Sequence, residues 1–229
     1  SIGGGSSNQI CTSAFDSTIS GGYLNTISCN NNASLIGGGA RNTICYDINS
    51  SSNLSLIGGG LCNFICGNNL SSIINGQFNN ICCCSQVSLI GGGDNNSINC
   101  CSYRSFIGSG NCNTISTCSN YSFVGGGRYN NISNSTFVFI GGGCCNKINS
   151  NSCGSNIVGG CFNCVSTCRS TILGGSCNTI SGSYSLNTIG GGCLNIINCI
   201  GAGAFIGGGL QNCVGGNYGF VGGGRLNTI

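Results

Sequence analysis

Histidine is absent from these 229 residues, and the only carboxylate side chains are Asp16, Asp47 and Asp94. Lys147 is the sole side-chain amine. With so few groups to carry protons, general acid–base catalysis lacks its parts, and no catalytic or cofactor-binding residue is assigned. Charge of either sign is scarce. Arg41, Arg104, Arg128, Lys147, Arg169 and Arg225 are scattered, so no basic stripe exists to neutralise successive phosphates, and nucleic acid is excluded as a partner. Long apolar runs are missing too. The longest, residues 137–140, falls far short of the ~18–20 residues of a membrane-spanning helix, so no membrane insertion is expected. Proline is absent, while glycine supplies 44 residues. Such a composition would ordinarily suggest disorder, but the net charge is low and the apolar residues recur on a strict template.

That template is written fourteen times: an apolar anchor, three glycine-dominated positions, two variable residues, then Asn-x-Ile. The anchors are Ile2, Ile19, Ile36, Ile57, Ile73, Ile90, Ile107, Val124, Ile140, Ile157, Ile172, Ile189, Ile206 and Val221. Three residues after each stands a glycine, and eight after stands Ile or Val. Six after stands an asparagine without exception: Asn8, Asn25, Asn42, Asn63, Asn79, Asn96, Asn113, Asn130, Asn146, Asn163, Asn178, Asn195, Asn212 and Asn227. A short fixed period means a stack of coils, each touching only its neighbours. Helices are excluded because each glycine costs roughly 1 kcal/mol in a helix. The expected fold is all-β: a parallel β-solenoid or β-roll of about fourteen coils, mostly 15–17 residues each, running as one array over residues 1–229. Each coil should hold two short strands, Ser-Leu-Ile around the anchor and Asn-x-Ile, joined by a glycine corner and a polar return turn. At about 4.8 Å per coil, fourteen would make a rod roughly 65 Å long.

Within a coil, Asn and Ile share one face by the two-residue period of a strand. The Asn column is expected to form an amide ladder from coil to coil; the alternative is that each Asn merely tolerates a left-handed turn position. Just before the anchor stand Leu35, Leu56, Leu89, Phe106, Phe123, Phe139, Phe205 and Phe220 in eight coils. They should point opposite to the anchors as a lateral apolar stripe, of the kind that marks an interface. This predicts self-association of rods side by side, three being the expected number. Alternatively, both residues lie inside a wider, three-sided coil.

The string Ser-x-Ile-Gly-Gly-Gly-x-x-Asn-x-Ile, cleanest over residues 34–44, 88–98 and 122–132, resembles the head repeats of trimeric autotransporter (YadA-like) adhesins. Similar glycine–asparagine arrays also look like fibre proteins of large viruses. The resemblance implies a parallel β-roll that trimerises and serves as a surface-displayed adhesive or spacer fibre.

Twenty-two cysteines avoid the invariant positions. Aligning coils places Cys84, Cys101 and Cys118 in one column, Cys83 and Cys100 in another, Cys45, Cys66 and Cys82 in a third, and Cys144 and Cys161 in a fourth. Neighbours about 4.8 Å apart could form inter-coil disulfides in an oxidising compartment. Equally, cysteine could be a small residue trading with Ser and Thr in a permissive turn. Cys161 and Cys164 form a lone CxxC without a second pair or histidine, so no metal site is assigned.

The leading expectation is therefore a structural, filament-forming protein on a virion, cell or other extracellular surface. The array starts at residue 2 and ends on a +8 isoleucine without an atypical repeat. End-to-end polymerisation, or continuation into further repeats, is expected on that ground, and no signal peptide is read in this numbering. The alternative is an adhesin head binding a surface glycan or host ligand, which would need aligned aromatics. Ice binding would need a regular Thr face, but the slot before the +8 residue holds Thr only at Thr26, Thr43, Thr114, Thr179 and Thr228.

Overall fold

A computed structural model describes residues 1–45, 53–67, 69–82, 84–183, 185–198 and 202–229. The chain is an all-β parallel solenoid with two short strands per coil. It divides into two compact units, Ser1–Tyr121 and Ser122–Ile229, each carrying seven of the repeats.

In the first unit the anchor strands Thr18–Ile19, Leu35–Ile36, Leu56–Ile57, Ser72–Ile73, Leu89–Ile90 and Phe106–Ile107 form one parallel sheet in that order. The strands ending each Asn-x-Ile form the second: Gln9–Ile10, Thr26–Ile27, Thr43–Cys45, Phe64–Cys66, Asn80–Ile81, Ser97–Ile98 and Thr114–Ser116. The second unit repeats this plan. Its anchor sheet runs from Phe123–Val124 to Phe220–Val221, and its other sheet from Asn131–Ser133 to Cys213–Val214. Register is strict: anchor opposes anchor, as in Ile90↔Ile107, and each +8 residue opposes the next, as in Ile98↔Ile115.

The core is made of these two aliphatic columns. From Ile19 to Ile206 every anchor, and from Ile27 to Val214 every +8 residue, is completely buried. Each such side chain contributes about 1.5–3 kcal/mol. Because the columns come from opposite sides of the same coil, a core one or two side chains thick suffices.

Most strands are two residues long, shorter than the three-residue segments read from the sequence, and the reason is the same at both corners of the coil. All fourteen residues just before the invariant Asn, from Ser7 to Leu226, have φ between 53° and 59° although none is glycine. The next backbone N–H then leaves the parallel ladder for a side-chain oxygen: the Asn42 N–H donates to Asn25 Oδ1 at 3.0 Å. At the other corner Ala33 (φ 53°) precedes Ser34, whose N–H donates to Ser17 Oγ at 3.1 Å. A left-handed residue followed by a polar side chain thus closes every asparagine corner and most of the others, where Val138, Ala204 and Gly219 are the exceptions.

Candidate functional site: ladders, outer faces and a tyrosine groove

The fourteen asparagines stack within each unit. Each interior Oδ1 accepts the backbone N–H of the next Asn, as Asn96 Oδ1 does from Asn113 at 3.0 Å. Its Nδ2 donates to two glycine-corner carbonyls, Gly92 at 3.0 Å and Gly110 at 2.9 Å. In several coils Nδ2 also meets the preceding Oδ1, as between Asn96 and Asn79 at 3.2 Å. The asparagine column is therefore chiefly a side-chain-to-backbone ladder, with amide–amide contacts secondary. Asn25 to Asn113 and Asn130 to Asn212 are buried, so this column serves the interior.

A second polar ladder was not read from the sequence. Two residues before the anchors, Ser17, Ser34, Ser55, Ser71, Ser88 and Ser105 are buried in the first unit. Ser88 accepts the Ser105 N–H at 3.1 Å and donates to the Ser102 carbonyl at 3.1 Å. The recurring Ser-x-Ile was the available signal. Ser34, Ser55, Ser71 and Ser122 end Asn-x-Ser triplets that begin at Asn32, Asn53, Asn69 and Asn120, whose side-chain oxygens accept backbone N–H groups of a neighbouring coil.

Outside the coil, none of the eight stripe residues is buried. Leu35, Phe139 and Phe220 are exposed; Leu56, Leu89, Phe106, Phe123 and Phe205 are half-buried. Phe123 stacks on Phe139, and Phe205 on Phe220, each with centroids 5.3 Å apart. In register the column is interrupted by Ser72, Asn156, Thr171 and Thr188. At the first three the residue after the anchor is large and exposed, Ile74, Val158 and Leu173, whereas Gly190 follows the anchor at the fourth. Elsewhere that residue is small, and the phenyl edge of Phe139 lies over Gly141, about where a side chain would begin. Every coil from that of Leu35 to that of Leu173 thus puts one large apolar group outward, either before or after the anchor. No charged residue occupies either column.

Of the aligned cysteine columns, the one holding Cys45 and Cys66 closes a bridge. Disulfides join Cys11 to Cys29 and Cys45 to Cys66, with Cα separations of 4.8 and 4.6 Å. Cys84, Cys100, Cys101, Cys118, Cys144 and Cys161 carry thiols, and Cys83 lies outside the described residues. Cys144 and Cys161 do oppose one another as bridge partners, and the Cys144 and Cys145 sulfurs lie 3.2 Å apart. That hydrogen bond, with burial, pushes the Cys145 thiol up. The Thr136 hydroxyl donates to Cys153 Sγ at 3.4 Å and draws the Cys153 thiol below its ordinary range. Among the described residues no group of three His, Cys, Asp or Glu is placed to hold a metal ion.

One surface groove, about 300 Å³, is lined by Gln86, Val87, Tyr103, Arg104, Asn120 and Tyr121. Arg104 donates to the Tyr121 hydroxyl at 2.8 Å and lies 5.5 Å from its ring centroid. Arg104 and Tyr121 occupy the same position of successive return turns, three residues before their anchors, so coil alignment places them together. Tyr218 takes the same position before Val221 in the other unit, and Tyr46 and Tyr184 lie outside the described residues. No family model matches the chain, and no curated protein matches it.

Proposed function

We propose that the chain is a structural repeat protein, a subunit or segment of an extracellular, cell-surface or virion-surface filament without catalytic activity. Its working surface is the outer face of the anchor sheet, and its partner is a second and third copy of itself packed side by side. The carrying observation is the outward apolar residue on successive coils: Leu35, Leu56, Ile74, Leu89 and Phe106 in one unit, Phe123, Phe139, Val158 and Leu173 in the other. An uncharged apolar face of this kind favours association over solvation. A neighbour with the same coil spacing meets such rungs in step along its length, which favours a copy of the chain.

Sedimentation and electron microscopy of the purified protein test this. Trimers or lateral bundles are expected, and serine at Phe123 and Phe139 should release single chains with unchanged β-sheet circular dichroism. A wild-type protein that stays monomeric at micromolar concentration overturns the reading.

The groove at Tyr103, Arg104 and Tyr121 supports a second reading, an adhesin head that stacks a sugar ring on tyrosine and meets its polar groups with Arg104. Saturable binding on a glycan array, lost in Tyr121→Ala, is its test; an array without saturable signal removes it.

A further inference from the structure

We propose that Cys84, Cys101 and Cys118 form a disulfide-exchange site for small disulfides of the glutathione class. Cys101 closes onto Cys84, while Cys118 keeps its thiol. This reading is independent of the filament proposal.

The three cysteines take the same place in three successive coils. Each directly precedes a serine of a buried stack: Ser102 N–H donates to Ser85 Oγ at 3.1 Å, and Ser119 N–H to Ser102 Oγ at 3.2 Å. The coil interior therefore holds the cysteines in register. All three have left-handed backbones, with φ of 61°, 61° and 56°, so their side chains leave the turn in a common direction. The Cys84 side chain reaches the Cys101 thiol and helps to hold it above its ordinary range. Cys118 keeps the register of the other left-handed corner residues: its N–H donates to the Cys100 carbonyl at 2.7 Å, as Tyr121 N–H does to the Tyr103 carbonyl at 2.9 Å. Cys84 and Cys101 are half-buried whereas Cys118 is exposed, which makes Cys84–Cys101 the closing pair and leaves Cys118 outside it. The chain closes such a bond elsewhere, at Cys45–Cys66 on adjacent coils. Cα separations of one coil spacing lie inside the range a disulfide accepts.

The chemistry balances with one small disulfide, RSSR. The Cys84 thiolate attacks one sulfur, forming a mixed disulfide and expelling RS⁻. The Cys101 thiolate attacks the Cys84 sulfur, forming the inter-coil bond and expelling the second RS⁻. RSSR is reduced to two RSH, which take up the two protons lost by the cysteines. Burial, then the neighbouring Cys84 and Cys118 sulfurs, push the Cys101 thiol up, so the closing step should quicken as pH rises.

The full chain is incubated with oxidised glutathione, alkylated, and cleaved before aspartate and after arginine. Cuts at Asp94 and Arg104 put the three cysteines on separate peptides. The expected result is a disulfide joining the 94–104 peptide to the peptide ending at residue 93, assigned by fragmentation to Cys101 and Cys84, with Cys118 alkylated. In Cys101→Ser, with the same circular dichroism, Cys84 should retain glutathione instead of closing. A Cys101–Cys118 bond, stable glutathione on both Cys84 and Cys101 of the wild type, or no modification at either overturns the proposal.

Discussion

The backbone N–H of Asn113 donates to Asn96 Oδ1 at 3.0 Å where a parallel strand would offer it a carbonyl. The left-handed residue before each Asn breaks the backbone ladder at this corner, and the amide completes it. Asn96 also needs its nitrogen, which donates to Gly92 and Gly110. Only a side chain with an acceptor and a donor on one planar group does both.

Asn96→Asp should therefore destabilise the coil more at neutral pH than at acid pH. The carboxylate keeps the acceptor but faces two carbonyls with a second oxygen. Burial without a donor raises its folded pKa above the unfolded value, so the variant is least destabilised below the unfolded pKa and loses stability as pH rises through the folded one. Asn96→Ala should cost about 2–4 kcal/mol with no such pH dependence, since it orphans several buried backbone groups at about 1–3 kcal/mol each. Urea titrations at pH 3 and pH 7 distinguish the two.

Adjacent glycines should respond very differently to alanine. At Gly93, φ is +89° and an added Cβ would sit 2.1 Å from the Gly110 carbonyl oxygen and 2.7 Å from Asn96 Nδ2. At Gly92 the nearest atom is 3.7 Å away. Gly92→Ala should leave thermal unfolding within a few degrees of wild type, whereas Gly93→Ala should unfold the coil or abolish soluble expression.

The serine ladder has gaps that can be filled. Ala204 is buried where the first unit has serine, and the preceding coil presents Asn187 Oδ1 to the Ala204 N–H at 3.0 Å. Ala204→Ser would offer an acceptor to the Gly219 N–H of the next coil. A gain of about 0.5–1.5 kcal/mol is expected, the net value of one intramolecular hydrogen bond. Denaturation and slowed amide exchange at Gly219 measure it.

Thiol reactivity should follow local hydrogen bonding. Cys153, held low by the Thr136 hydroxyl, carries more thiolate at pH 7 than an ordinary cysteine, and Cys101, held high by burial, carries less. Competitive iodoacetamide labelling should therefore modify Cys153 first, with Cys101 catching up as pH rises towards 10. Equal labelling at pH 7 would contradict both shifts.

Serine at Cys45 and Cys66 should cost about 3 kcal/mol, the scale for closing a loop of this size. This pair links coils across a 21-residue separation, the longest spacing in the array. Because coils contact only their neighbours, faster amide exchange should concentrate at Ile44 and Ile65.

Much of this was legible in the residues alone. The anchor and +8 columns spell out two buried aliphatic ladders, because a strict period and β-branched side chains admit few other arrangements. The invariant asparagine announced a stacked column. What the string could not reveal was the bonding within it, since a period places residues in a column without saying which atoms face one another. The left-handed φ before each Asn was hidden because that slot accepts Leu24, Arg41, Cys62 and Phe78 alike. The corner is imposed by the glycine and asparagine around it, not by the residue that adopts it. The outer face was half-read for a related reason: Leu35 and Phe139 are visible as a column, but Ile74, Val158 and Leu173 fill its gaps from two positions along. Only the side of the sheet on which each side chain emerges reunites them. Sequence thus determined the stack, its register and its core, because these follow from periodicity and burial. Tertiary structure decided which oxygen receives each corner N–H, which cysteines meet, and which surface is apolar, because those depend on the direction in which neighbouring coils present their atoms.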